Sequence, residues 1–426
     1  MLEVLDRRHL CVDSSGTGTG KTYTAAWAAG QIGHPVLVVC PKSVITTWER
    51  ILGEFGVREA IVHNVEQYKT KKRGFWDGSS WKFDKYWTII WDEVHRGTAG
   101  PYSDTTEMLA KLKAWPTLPK IPLSATVADS PIQMRAIGWL LGMHGYLDPL
   151  FWKWCEDMGC EWTKRPNGRG GFENVLGMPI VRERAIATMQ RLRDAMAPYM
   201  VRLDQQDVPG FPENQITAKL FDFDKALTAH AREMYEPLAR AHYTSSDNQK
   251  AQITMARYQT EIMKVPIIAD LAKDILAEGR SVVIFCNFHE PMDLLAAALG
   301  PDKVVQFRGD RRTTPQERAE DQERFQRNEI HIALCQSQCG GESIGLHDVR
   351  QERPRMSLIS PNWDAKLTKQ CLGRVHRDGG TRTTQMFVLA ANTIEEQVYR
   401  AIIRKAANID TLNDADMMGV EMLTTT

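Results

Sequence analysis

Short apolar runs alternate with amphipathic stretches along residues 1–150 of the chain, and again along 281–407. The first series predicts strands near Leu10–Asp13, Val36–Cys40, Thr88–Trp91 and Ile121–Leu123. The second predicts Ser281–Cys286, Val304–Phe307, His331–Cys335, Met356–Ser360 and Gln385–Leu389. Runs that are apolar at every position fit strands covered on both faces, so parallel sheets flanked by helices are expected. Val44, Trp48, Ile51, Leu52 and Phe55 follow Ser43 at helical spacing and stop at Gly56. Thr314 with Glu317, and Thr393 with Glu396, have the spacing of a capping box. The stretch between the two series reads as helix-rich, with a Gly/basic loop at 163–171 and a breaker cluster from Asp207 to Pro212 that marks a linker. The boundaries expected are a first α/β lobe at 1–148, a helical insert at 149–205, a linker and helical lead-in at 206–280, a second α/β lobe at 281–410 and a tail at 411–426.

Composition narrows the function classes. Hydrophobic residues make up 43% and charged residues 25%, the balance of a globular protein. Lys and Arg number 53 against 53 Asp and Glu, which excludes a chain-wide basic coat but not a local basic groove. No apolar run approaches the roughly 20 residues of a membrane-spanning helix, and MLEVLDRRHL lacks a signal core. A cytoplasmic protein without a membrane partner is expected. Eight cysteines are too few for a disulfide scaffold. Cys40, Cys286 and Cys335 sit in apolar runs and read as core, and Cys155/Cys160 and Cys335/Cys339 lack zinc-site spacing.

The sharpest chemical signal is Ser15-Gly16-Thr17-Gly18-Thr19-Gly20-Lys21-Thr22, which follows a strand and opens an Ala-rich helix. Glycines there let backbone N–H groups wrap a phosphate at a positive helix end. Lys21 would reach the β- and γ-phosphates of ATP, and Thr22 would ligate Mg²⁺. A second signal is the apolar strand Trp87–Trp91 ending in Asp92-Glu93-Val94-His95. Adjacent carboxylates at a strand end suit a metal ligand, Asp92, and a base for the attacking water, Glu93. Either feature alone has an ordinary structural explanation; seventy residues apart in this order they reinforce each other.

With these motifs the chain resembles the superfamily two helicases of the DExH type, and the Swi/Snf branch in particular. Val39-Cys40-Pro41-Lys42-Ser43 followed by Trp48 resembles motif Ia, and Leu123-Ser124-Ala125-Thr126 resembles motif III in its Ser-Ala-Thr form. Val283-Ile284-Phe285 fits motif IV, with Gly309, Arg318 and Phe325 after it. Cys339–Leu346 resembles motif V, and Gln370–Arg377 motif VI. The matches run in order over about residues 10–405. The resemblance implies two RecA-like parallel-sheet lobes around an ATP cleft. It also implies that Arg374 and Arg377, three apart on one helical face, act as arginine fingers while Gln370 positions water or couples to the nucleotide. Two departures stand out. Only fourteen residues precede Ser15 in this sequence, so either base selectivity is relaxed for want of the family's adenine-contacting glutamine segment or the true start lies further upstream, and Ser343 and Gly345 replace the usual Gly and Asn of motif V.

By the same resemblance, Lys42, Ser43, Asn287 and Ser337 are candidate nucleic-acid contacts, and contacts of that kind position without reading sequence. Basic clusters at 69–73, 164–169 and 308–312 could extend the track, and the aromatic stretch Phe75–Trp87 could stack bases or pack as a hairpin. Phe151 and the Arg-rich stretch 181–203 fall where Swi/Snf proteins carry helical protrusions. The expected function is an ATP-dependent translocase on DNA, with duplex favoured. The expected setting is a monomer of bacteriophage type acting in replication, recombination or repair alongside other proteins of those pathways. An RNA helicase, a nucleotide-gated DNA clamp with little turnover and the motor of a restriction system are the alternatives.

Overall fold

A computed structural model of the chain describes residues 1–69, 74–97, 102–166, 171–223, 247–309, 314–340, 344–413 and 421–423. Two compact units emerge, one drawing mainly on residues 1–163 and 176–207, the other mainly on 208–406.

The first unit is a parallel sheet. Strands β1 (Val12–Asp13), β2 (Val36–Cys40), β4 (Thr88–Trp91) and β5 (Lys120–Pro122) fall where the apolar runs put them. Two more were not expected, β3 (Ala60–Asn64) and β8 (Met200–Val201). The hydrogen-bonded order is β3-β2-β4-β5. Bridges from Leu10 to Lys120 and from Asp13 to Leu123 carry the sheet on to β1, which pairs in parallel with β8. Every residue of β2 and β4 is buried, as a strand covered by helices on both faces must be. Helices α1 (Leu2–Arg8), α2 (Lys21–Ile32) and α3 (Ile45–Glu54) belong to this unit. Gly30 is required inside α2, because a Cβ there would lie 2.6 Å from the Phe55 carbonyl oxygen.

Of the stretch expected as a separate helical insert, residues 149–163 and 176–205 are part of this unit, while 164–175 group with the second. Helices Asp148–Met158 and Arg182–Met196 bury Phe151, Trp154, Met189, Leu192 and Met196 in the same core as Leu37, Val39, Ile89 and Trp91. The 3–4 spacing of Met189, Leu192 and Met196 supplies the apolar stripe that docks the second helix. Between these helices the chain forms a two-stranded sheet rather than helix, β6 (Glu161–Pro166) with β7 (Phe172–Gly177). The aromatic stretch Phe75–Trp87 is core: Trp76, Trp81, Phe83 and Trp87 are buried, and Trp76 bridges Trp81 in antiparallel fashion. Packing accounts for those four aromatics, while Tyr86 of the same stretch is exposed.

In the second unit all five predicted strands form: β10 (Ser281–Cys286), β11 (Val304–Phe307), β12 (Ile332–Gln336), β13 (Arg355–Ile359) and β14 (Thr383–Ala390). They are joined by β9 (Asn214–Phe221) and β15 (Glu421–Leu423) in the order β11-β12-β10-β13-β14-β9-β15, with every pairing parallel. The lead-in at 206–280 was expected to be linker and helix, and β9 corrects it. Ile216, Ala218 and Leu220 alternate with polar neighbours, the period-two signature of a strand, immediately after the breaker cluster. The Thr314 capping box is present as expected. At Thr393 the pattern is displaced by one residue, because Glu396 accepts from the Asn392 N–H at 2.8 Å.

Seven cysteines among the described residues are free and buried. No described helix is long and apolar enough to cross a membrane.

Candidate nucleotide-hydrolysis site

The loop Ser15–Thr22 leaves the carboxyl end of β1 and enters α2. Gly18 and Gly20 sit at φ 81° and 89°, left-handed conformations that favour glycine. Gly20 caps α2 without any side-chain acceptor, so the first-turn N–H groups of the helix remain donors for an anion. Lys21 Nζ donates to the carbonyls of Ser15 (2.9 Å) and Gly16 (2.8 Å), which hold the ammonium across the loop. The Thr19 hydroxyl donates to Gly16 O at 2.8 Å.

A strap that sequence reasoning missed fastens this loop from 188 residues away. Gly16 N–H donates to Leu203 O (2.9 Å), Leu203 N–H to Ser15 Oγ (3.0 Å), and Arg202 to Ser14 O (2.6 Å). The Gln205 side-chain amide donates to Thr17 O at 2.7 Å. A Cβ on Gly16 would lie 3.2 Å from Gln205 Cγ, a tight contact to which the strap side chain would have to yield.

Asp92 and Glu93 follow β4. The Asp92 N–H donates to Val39 O (2.8 Å), and its carboxylate accepts from Trp48 Nε1 (2.9 Å) and Glu93 N–H (2.9 Å). Burial, then the neighbouring Glu93 charge, raises the Asp92 pKa; the Trp48 donor and Lys21 oppose the rise. Glu93 is at φ 51°, a left-handed conformation unusual for a non-glycine residue and of the kind found at functional turns. His95 Nδ1 lies 3.2 Å from Glu93 Oε2 and 2.9 Å from Ser124 Oγ, while Ser124 N–H donates to Asp13 O at 3.1 Å. The strand before the phosphate loop, the Asp92–His95 segment and motif III thus meet through named bonds. Trp48 served in the sequence only as a motif Ia marker; its indole, fully buried, is what orients Asp92.

Whether these residues fit a magnesium ion can be judged from the donor set. No group of three or more His, Cys, Asp or Glu forms a cage among the described residues. Thr22 offers a hydroxyl at the α2 start, and Asp92 offers a carboxylate whose oxygens keep acceptor capacity beyond their two donors. Mg²⁺ characteristically takes one or two protein oxygens and completes its shell with water and phosphates, so the set fits.

In the second unit, Gln370 is half-buried on the helix Ala365–Val375. That helix ends at Val375, with His376 already extended. Arg374 and Arg377 therefore do not share a helical face as expected. Arg374 is buried, with Nη1 3.5 Å from Ile344 O, while Arg377 lies beyond the cap and folds back so that Nε donates to Gly373 O at 2.8 Å. Leu346 N–H donates to Arg374 O (2.9 Å), joining motif V to motif VI. Gly341, Glu342 and Ser343 of motif V lie outside the described residues.

Of the expected nucleic-acid contacts, Lys42 and Ser43 are exposed. The other two have internal partners. Ser337 is buried and donates to Cys286 O at 3.0 Å. Asn287 donates to Glu261 (2.8 Å) and Pro361 O (3.0 Å) and accepts from Asn362 (2.7 Å). Arg308 is also buried and pairs with Asp293, so it does not belong to a basic track. Residues 70–73, 167–170 and 310–312 of the basic clusters lie outside the described residues.

Residues 264–379 match the helicase conserved C-terminal domain. A protein of Acanthamoeba polyphaga mimivirus named "Putative ATP-dependent RNA helicase" is 30% identical over 98% of this chain and 82% of its own length. The chain belongs to the superfamily two helicases. Its members hydrolyse ATP and bind nucleic acid, and this chain is an ATP-hydrolysing enzyme of that superfamily. Among longer relatives, Protein Chromatin Remodeling 24 of Arabidopsis thaliana is 25% identical over 45% of this chain and 17% of its own. Helicase SWR1 of Cryptococcus neoformans is 25% identical over 38% and 13%. In fold alone, Saccharomyces cerevisiae Dbp5 bound to RNA and ADP-BeF3 resembles the chain at TM-score 0.50 and 12% identity, over 98% of this chain and 85% of that one.

Proposed function

We propose that this helicase is a translocase that uses ATP hydrolysis to move along duplex DNA. The observation that carries the hydrolytic assignment is the bonded chain Asp13–Ser124–His95–Glu93, which ties the strand before the phosphate loop to the proposed base. The N-terminal amides of α2 and Lys21 would bind the phosphates, and Thr22 and Asp92 would hold Mg²⁺. When bound, Mg²⁺ neutralises charge on the β- and γ-phosphate oxygens. Glu93 orients water for in-line attack on the γ-phosphorus and takes its proton as the bond to the β-phosphate oxygen breaks. His95 holds the Glu93 carboxylate in place. Arg374, Arg377 and Gln370 are the motif VI groups proposed to act on the γ-phosphate.

The remodelling relatives and the motif Ia tryptophan support DNA as the track. RNA is the second reading, favoured by the name of the mimivirus relative, which aligns with nearly the whole chain. That relative also supports a viral setting. The test is the steady-state ATPase rate with no polymer, duplex DNA, single-stranded DNA or RNA, followed by triplex displacement. Stimulation by duplex together with displacement is expected. Stimulation by RNA alone would overturn the DNA assignment.

A further inference from the structure

A cavity of about 280 Å³ opens at the amino ends of β1 and β5, lined by Arg7, Arg8, His9, Lys113, Lys120 and Tyr199 among others, and by no carboxylate. It lies at the opposite end of β1 from the phosphate loop: His9 and Leu10 precede the strand and Ser14 follows it. The geometry is fixed by backbone, because Lys120 N–H donates to His9 O (3.0 Å) and Cys11 N–H to Lys120 O (2.9 Å). The size is near the lower end for small-molecule sites.

The charges around this cavity are not balanced. Lys120 is only 5% exposed, and its ammonium donates to the carbonyls of Trp115 (2.6 Å) and Leu118 (2.7 Å). An ammonium has three N–H donors, so one remains for a ligand. Lys113 donates to Leu140 O (3.0 Å) and lies 5.3 Å from the centre of the Trp139 ring. Arg8 lies 4.5 Å over the Tyr199 ring. Among the described residues, only Arg7 of these cations has a carboxylate partner, the exposed Glu3. Burial, then Lys113, lowers the Lys120 pKa to about 8, the mark of a cation short of counter-charge. A buried cation is normally paired, and among the described residues Lys120 has two carbonyls but no anion, with half-buried Lys113 and exposed Arg8 beside it on carbonyl and aromatic partners.

We propose that this cavity binds a phosphate group, held by Arg8, Lys113 and Lys120, at a site separate from the phosphate loop. The phosphate belongs either to a nucleic-acid backbone or to a small phosphate compound. The chemistry is the same for both, and the guanidinium and ammonium donors suit phosphate oxygens in either.

The test uses the full chain carrying Lys21→Ala, which disables the phosphate loop, titrated with inorganic pyrophosphate by calorimetry. One equivalent is expected to bind, and adding Arg8→Gln with Lys113→Gln is expected to weaken it tenfold or more. The absence of binding, or binding unchanged by the two substitutions, overturns the proposal. In parallel, Arg8→Gln with Lys113→Gln in the Lys21 chain is titrated with an oligonucleotide across a salt series. Weaker binding with a salt slope shallower by about two identifies backbone phosphate as the source. An unchanged slope alongside lost pyrophosphate binding identifies a small phosphate. Polymer-free ATP hydrolysis by that chain should match the unsubstituted one. If it does not, the charge-conserving pair Arg8→Lys with Lys113→Arg decides the matter: retained pyrophosphate binding supports the site, and loss with normal hydrolysis overturns it. Failure of duplex DNA to stimulate hydrolysis would leave this inference untouched.

Discussion

Replacing Trp48 by Phe isolates the bond that orients the proposed metal ligand. A phenyl ring fills most of the buried indole's space but removes the Nε1 donor that lies 2.9 Å from Asp92 Oδ2. Hydrogen bonds to charged groups contribute about 1.5–3 kcal/mol. The lower end applies here, because Asp92 Oδ1 keeps the Glu93 N–H at 2.9 Å. That energy favours the carboxylate over the carboxylic acid, so its loss moves the Asp92 titration upward by about one pH unit at ~1.4 kcal/mol per unit. The direction adds to the rise that burial and Glu93 already impose. Magnesium needs the ionised form, so the acid limb of kcat/KM should move to higher pH by about one unit. Below neutral pH the KM for Mg–ATP should rise several-fold. The assay is steady-state hydrolysis from about pH 5.5 to 9 at saturating Mg²⁺, with melting temperatures measured alongside. Packing loss from the smaller ring costs about 1–3 kcal/mol and does not depend on pH, so the melting data separate it from the titration effect. Superimposable pH profiles would refute the assignment of Trp48 as the donor that sets Asp92.

Lys21→Ala should abolish turnover with little change in melting temperature, since its bonds are to loop carbonyls; normal turnover would remove Lys21 from the site. Glu93→Gln should bind ATP normally yet hydrolyse it about 10²–10⁴-fold more slowly, read by nucleotide titration and single-turnover rates. Gln205→Ala gives up one neutral hydrogen bond to Thr17 O, about 0.5–1.5 kcal/mol, and should raise the KM for ATP two- to tenfold with kcat nearly unchanged. Lys264→Met should cost about 3–5 kcal/mol in chemical denaturation, because Lys264 is fully buried against Glu395 and its loss strands that carboxylate; a cost near zero would contradict the pairing.

The sequence made the central strands legible because each is buried on both faces and so mostly apolar. β9 escaped notice because polar and apolar residues alternate along it, β3 because its apolar run is only Ala60–Val62 before His63 and Asn64, and β8 because two residues carry no period. The phosphate loop and the Asp92–Glu93 pair could be read because their chemistry is local. Trp48, 44 residues from its partner, and Gln205, 188 residues from its own, could not be assigned roles by spacing. Asn287 and Ser337 show the complementary limit: a polar residue at a strand end serves a ligand or the fold, and spacing in the sequence does not distinguish the two. Here Glu261, Pro361 and Asn362 account for Asn287, and Cys286 for Ser337.

The linker is anchored at both ends on nucleotide motifs. Gln205 holds the Thr17 carbonyl of motif I. Seven residues later, the Pro212 carbonyl accepts from His376 Nε2 of motif VI at 2.7 Å, with Phe211 edge-on to the same imidazole at 4.9 Å. Between the anchors lie Pro209 and Gly210, the latter at φ 75°. Proline narrows the backbone freedom on one side of that glycine, and the glycine permits a turn that other residues resist. A displacement of the phosphate loop on binding ATP would therefore act on a short, partly stiffened segment whose far end adjoins Arg377. The breaker cluster reads in the sequence as a spacer between domains, yet both ends of the segment are tied to motifs proposed to handle the same phosphate.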